Sequence, residues 1–180
     1  QSTEYLEGIA AALRGRRKVD STPQWRAAMQ QFSQSSNPRL KSLAEEILVV
    51  FGDGRTIDSL LALARDKTAD PNARQQALKV VLDSQPDGLD TALIAMKSDK
   101  VLGATAIRGL AFYESPTVAK QLMNMYPNAK HDHRPAIIDT LASRPTYAST
   151  LVAALANGNI SSADIPAATA SRIVNLGDSN

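Results

Sequence analysis

Gln76-Ala77-Leu78-Lys79-Val80-Val81-Leu82, Thr105-Ala106-Ile107-Arg108-Gly109-Leu110-Ala111 and Pro135-Ala136-Ile137-Ile138-Asp139-Thr140-Leu141 read as three copies of one helix. Ala77, Ala106 and Ala136 hold the same place in each copy. A second apolar segment follows every copy, over 89–96, 118–126 and 147–155, and its anchors Leu93, Leu122 and Leu151 recur at nearly the same interval as the alanines. A worn copy stands upstream. There Ala44, in Leu43-Ala44-Glu45-Glu46-Ile47-Leu48, and Leu61, in the segment 57–64, precede Ala77 and Leu93 by slightly more than one such interval. A period of about 30 residues built from helix pairs is the pattern of a right-handed α-solenoid, an all-α stack in which each pair buries its apolar face against the next.

The turns support the same phase. Gly52-Asp53-Gly54, Gln85-Pro86-Asp87-Gly88, Glu114-Ser115-Pro116 and Ser143-Arg144-Pro145 each interrupt a unit at one place. Glycine does so by accepting a positive φ and proline by lacking an N–H, so their recurrence is independent of the hydrophobic pattern. We therefore expect one solenoid domain over 1–180. N-terminal helices fill 1–38, repeat units fill 39–70, 71–99, 100–128 and 129–158, and a capping helix occupies 160–177. That makes four to five units and a closing helix that covers the open end of the stack.

Hydrophobic residues form 43 % of the chain but aromatics only 4 %, so alanine and leucine carry the core, which favours close helix packing over a β-sandwich. The chain has no cysteine. That excludes a disulfide framework, a thiolate nucleophile, haem attachment and cysteine-ligated zinc or iron–sulfur centres within these residues, and leaves the redox compartment open. Five of the 20 basic and three of the 18 acidic residues lie in 1–38, which leaves fifteen of each in 39–180. A neutral repeat region counts against a nucleic-acid groove, which needs concentrated cations to neutralise phosphates. No apolar run approaches the ~20 residues that span a bilayer. The chain begins at Gln1, inside what reads as a helix, and we expect a piece of a longer protein with any signal peptide or anchor outside it.

Along the chain, Tyr5, Leu6, Ile9, Ala10 and Leu13 form one stripe of a first helix that Gly15 ends. Arg14-Gly15-Arg16-Arg17-Lys18 is the dense basic cluster. Its simplest role is a solvated helix end whose cations suit the negative end of the dipole; an anionic partner such as lipid headgroups is the alternative. Thr22 and Pro23 open a second helix as N-cap and first residue. On it Trp25, Met29 and Phe32 share a face, read as core, with an exposed aromatic binding anchor as the alternative. Arg108 and Asp139 hold similar phases in successive units and are read as structural or solvated. His131-Asp132-His133 offers imidazole and carboxylate suited to zinc or copper, but near-adjacent loop residues rarely converge on one ion. We read it as an exposed loop that starts the helix at Arg134-Pro135. After Gly158-Asn159, Ile160 packs back, and Ser161 or Ser162 caps a helix over 163–176 with Ile165, Ala168, Ile173 and Leu176 on its buried side and Gly177 as its stop. No Gly-x-Ser-x-Gly elbow, Gly-x-Gly-x-x-Gly or phosphate-binding loop occurs. The residues designate no catalytic, cofactor-binding or metal site.

Arg134-Pro135-Ala136-Ile137-Ile138-Asp139-Thr140-Leu141-Ala142-Ser143-Arg144-Pro145, Leu151-Val152-Ala153-Ala154-Leu155, Gly158-Asn159-Ile160, Asp164-Ile165 and Leu176-Gly177-Asp178 resemble one known family. It is the HEAT-like helical-repeat region of large planctomycete-type haem-binding proteins of the membrane-bound dehydrogenase type. The segments Ala104-Thr105-Ala106-Ile107-Arg108-Gly109-Leu110-Ala111 and Leu13-Arg14-Gly15-Arg16-Arg17-Lys18-Val19 are similar to it as well. The resemblance implies HEAT-like or armadillo-like pairs in an exported, periplasmic or membrane-associated parent. That parent would carry a dehydrogenase-like β-propeller before the repeats and a cytochrome c module with Cys-x-x-Cys-His after them. Haem c is implied for the parent only; its haem-binding and dehydrogenase residues map onto no position here, and the units lack a regular Asp–Arg ladder. Three functions then compete. The first is a non-catalytic scaffold spacing the other domains of its own polypeptide, the second a protein- or peptide-binding solenoid, and the third a DNA-associated enzyme, which the neutral repeats disfavour.

Overall fold

A computed structural model describes residues 2–16 and 19–177 and is all-helical among them. Eleven α-helices follow one another: α1 Ser2–Leu13, α2 Pro23–Ser33, α3 Pro38–Val50, α4 Gly54–Arg65, α5 Pro71–Ser84, α6 Leu89–Met96, α7 Gly103–Gly109, α8 Pro116–Met125, α9 His133–Leu141, α10 Pro145–Ala156 and α11 Ala167–Gly177. Short 3-10 turns at Leu110–Phe112, Tyr126–Asn128 and Ser162–Asp164 extend or follow α7, α8 and α10. Two compact units form, 1–87 and 88–180, and each is described by itself. No described helix is long and apolar enough to cross a membrane.

Helix starts follow local chemistry. Thr22, Asn37, Asp53 and Asp70 each accept a backbone N–H of the first turn they precede, which satisfies donors that have no intrahelical partner. Pro23, Pro38, Pro71, Pro116 and Pro145 each stand at the first helical position. Stops are equally local. Beyond α3, Gly52 takes φ 71° and the Asp53 N–H reaches the Leu48 carbonyl at 3.0 Å. Beyond α10, Gly158 takes φ 72° and the Asn159 N–H reaches the Ala154 carbonyl at 2.8 Å. Both are Schellman closures, and Ile160, 2 % exposed, seals the second.

In the N-terminal unit α3 packs on α1, α2, α4 and α5, and α4 packs on α5. The Glu7 carboxylate in α1 accepts from Arg39 at the start of α3, and the Val19 N–H just past α1 reaches the Val50 carbonyl at the end of α3. The two helices therefore run in the same direction. Leu6, Ala10, Met29, Leu43, Ile47 and Leu48 meet in their shared core. In the C-terminal unit α7 packs on α6 and α9, and α10 on α8, α9 and α11.

The residues expected as anchors are buried in both cores. Ala44, Ala106 and Ala136 are fully buried and Ala77 nearly so, while Leu93, Leu122 and Leu151 are all 0 % exposed. One of them is corrected: Leu61 is only half-buried, and the buried residue is its neighbour Leu60. The offset from Leu60 to Leu93 equals that from Ala44 to Ala77.

Four further expectations are corrected. Tyr5 is 75 % exposed, because the buried line of α1 runs through Leu6 and Ala10 and Tyr5 is turned ~100° from Leu6. Trp25 is 48 % exposed, since α2 meets the core through Ala28, Met29 and Phe32, one turn further on. The closing helix begins at Ala167 rather than 163, because Pro166 disfavours helical backbone at Ile165, and Ser161 caps only the preceding 3-10 turn. On that helix Thr169 is buried where Ala168 was expected, while Ile173 and Leu176 are half-buried.

Candidate functional site

A groove of about 540 Å³ lies in the N-terminal unit between the end of α1 and the flanks of α3 and α5. Its floor follows from helical periodicity. Leu13, Val50 and Val80 lie one turn or less from the core positions of their helices, so they border the core without being sealed by it, and the fully buried Ile47 lies beneath them. Polar residues one position further round make the rim: Arg14 and Arg16 beyond α1, Glu46 on α3, and Gln76, Lys79 and Asp83 on α5. Ser84 is buried at one end and donates to the Val81 carbonyl at 2.9 Å. The half of the basic cluster that is described, Arg14 and Arg16, thus stands on this rim, whereas Arg17 and Lys18 lie outside the described residues.

A second polar arrangement closes the C-terminal unit. Helix α7 spans only seven residues before tightening into a 3-10 turn, so carbonyls near its end have room for outside donors. Thr140 Oγ1 donates to the Ile107 carbonyl at 2.9 Å, and the Arg144 guanidinium donates to the Ala111 carbonyl. Tyr147 Oη donates to the Tyr113 carbonyl at 2.7 Å and accepts the Ser115 N–H at 3.0 Å. Arg144 also lies 5.3 Å from the centre of the Tyr147 ring. Arg108 and Asp139, read from sequence as structural or solvated, form an exposed ion pair between α7 and α9 at 3.8 Å. Side chains of one helix pair thereby satisfy the backbone of the pair before it.

Helix α8 ends under a second tie, in which Tyr126 Oη donates to the Asp164 carboxylate at 2.8 Å. Burial, then this hydrogen bond and the carboxylate's charge, push the Tyr126 phenol up to about 12, against the opposing pull of Arg134.

The His131-Asp132-His133 cluster is not an exposed loop throughout. His131 and Asp132 are exposed, but His133 is 2 % exposed and is the first residue of α9. Its imidazole fills the space that Gly103 leaves: a Cβ built there would stand 2.6 Å from both Cε1 and Nε2. Among the described residues Nε2 has no hydrogen-bond partner, and the Asp132 carboxylate oxygen stands 4.0 Å away. Among the described residues no three His, Asp or Glu side chains come close enough to hold an ion.

No family model, curated protein or solved structure matches this chain.

Sequence reasoning missed the groove and the polar tie. The groove's charges occupy ordinary solvent-side positions of separate helices, and only the packing of α1, α3 and α5 gathers them. The tie had one visible signal. Leu48, Val81 and Leu110 stand one helical turn after their alanine anchors, and the equivalent position after Ala136 is Thr140, a hydroxyl in a buried row that must find an acceptor.

Proposed function

We propose that the chain is a non-catalytic helical-repeat scaffold, a right-handed α-solenoid of HEAT-like pairs that holds other domains of a larger exported redox protein at fixed spacing. The observation carrying this reading is the burial of Ala44, Ala77, Ala106, Ala136, Leu93, Leu122 and Leu151 at one repeat phase. Apolar residues recurring at that regularity are committed to packing between helices, which suits a framework more than a reaction centre. The resemblance supplies the rest, namely a propeller on one side and a cytochrome c module on the other. Sequencing the native gene beyond both ends tests it. A propeller-length segment upstream with Cys-x-x-Cys-His downstream is the expected result, and the lack of both overturns the redox-spacer role.

A second reading is a protein- or peptide-binding module. The groove at α1, α3 and α5 favours it, because its volume lies in the ~300–1,000 Å³ range of ligand-holding clefts.

A further inference from the structure

Resting on the binding-module reading, we propose that the groove of the N-terminal unit takes a polypeptide segment carrying charges of both signs around an apolar side chain. The floor sets the apolar part. Leu13, Val50 and Val80 are half-buried, so each keeps apolar surface in water that an inserted side chain would cover. The rim sets the charges. Arg14, Arg16 and Lys79 share the groove with Glu46 and Asp83, and among the described residues none of the five is in an ion pair. Elsewhere in this unit opposite charges do meet, as Arg39 and Glu7 do at 2.9 Å.

Two acids within a cationic rim discriminate between classes of partner. A nucleic acid or an anionic membrane presents one sign only, and would lose at Glu46 and Asp83 what it gains at the arginines. A membrane is also too flat to reach the floor of a cleft. A polypeptide alone among these offers acid, base and apolar group within a short segment, and so can pair every rim charge while filling the floor.

Panning a random peptide display library on the full chain, with Val80→Glu and Arg16→Glu chains as counter-targets, tests this. The expected outcome is enrichment of sequences combining Asp or Glu, Lys or Arg, and a large apolar residue. Synthetic peptides of those sequences should bind at least tenfold more weakly to both variants by fluorescence anisotropy. Arg16 is exposed, so its variant keeps the fold even if Val80→Glu disturbs packing. Enrichment of uniformly acidic sequences, with matching binding to phosphatidylserine vesicles, overturns the mixed-charge inference and leaves a cationic docking patch. No enrichment over the variants overturns the inference and the binding-module reading together.

Discussion

Leu93, Leu122 and Leu151 were legible because each sits on the apolar face of an amphipathic helical segment, and all three are completely buried. Replacing any one with alanine should cost about 2–5 kcal/mol in urea unfolding, the sum of lost transfer energy and the cavity left behind. A loss below about 0.5 kcal/mol at all three would place the repeat phase elsewhere. Gly103 makes the opposite kind of case. Glycine to alanine within a helix ordinarily gains about 0.5–1 kcal/mol. Here the new Cβ would meet the His133 ring at 2.6 Å and the Lys97 carbonyl at 2.9 Å, and the carbonyl belongs to backbone that cannot step aside cheaply. Gly103→Ala should therefore destabilise by about 1–3 kcal/mol. Adding His133→Ala should restore part of the loss, a coupling that a double-mutant cycle reads directly; strict additivity would dismiss the contact. Nothing around His133 in sequence marks it as buried, because its niche is made by Gly103, at the start of α7.

Asp53 shows how one residue joins three elements. It follows the Schellman closure of α3, caps α4 through the Thr56 N–H at 3.1 Å, and accepts from Gln30 of α2 at 2.9 Å. Burial by itself would raise its carboxyl, but the bonds from Gln30 and Thr56 and the nearby Arg55 outweigh that and hold it below the ordinary 3.8. A depressed carboxylate stabilises the fold at pH values above its unfolded value and loses that contribution as pH falls through the folded value. Acid unfolding below about pH 4 should thus be less steep in Asp53→Asn, whereas Asp53→Ala should cost about 1 kcal/mol at neutral pH through the lost cap. Tyr126 works at the other end of the scale. Its raised phenol means that stability is whole below pH 10 and is lost as pH rises from about 10 through about 12. Tyr126→Phe should flatten thermal stability across that window and remove one late-titrating phenol from an ultraviolet titration; an unchanged profile would show that the Asp164 tie adds nothing. The Gly-Asp-Gly turn was readable as a break, but only Gly52 uses a positive φ, while Gly54 begins α4.

Each of the two units, 1–87 and 88–180, has its own buried anchors. A lesion in one core should therefore act mainly within its own unit. In hydrogen exchange, Leu122→Ala should deprotect amides of α7 to α10 more than those of α3 to α5, and equal deprotection in both would mean a single cooperative block. By itself the sequence determined the all-helical class, the positions of the breaks and the residues at the heart of each core. Those follow from local rules: proline and glycine act on their own backbone, and apolar periodicity selects one face of a helix whatever that face meets. Tertiary structure alone decided which polar groups go inside and which aromatics stay out. His133 is buried, and Tyr5 and Trp25 exposed, because burial of such groups depends on a partner or a neighbouring surface supplied from elsewhere in the chain. The mixed-charge groove belongs to the same class, since three helices contribute to it and none contains it.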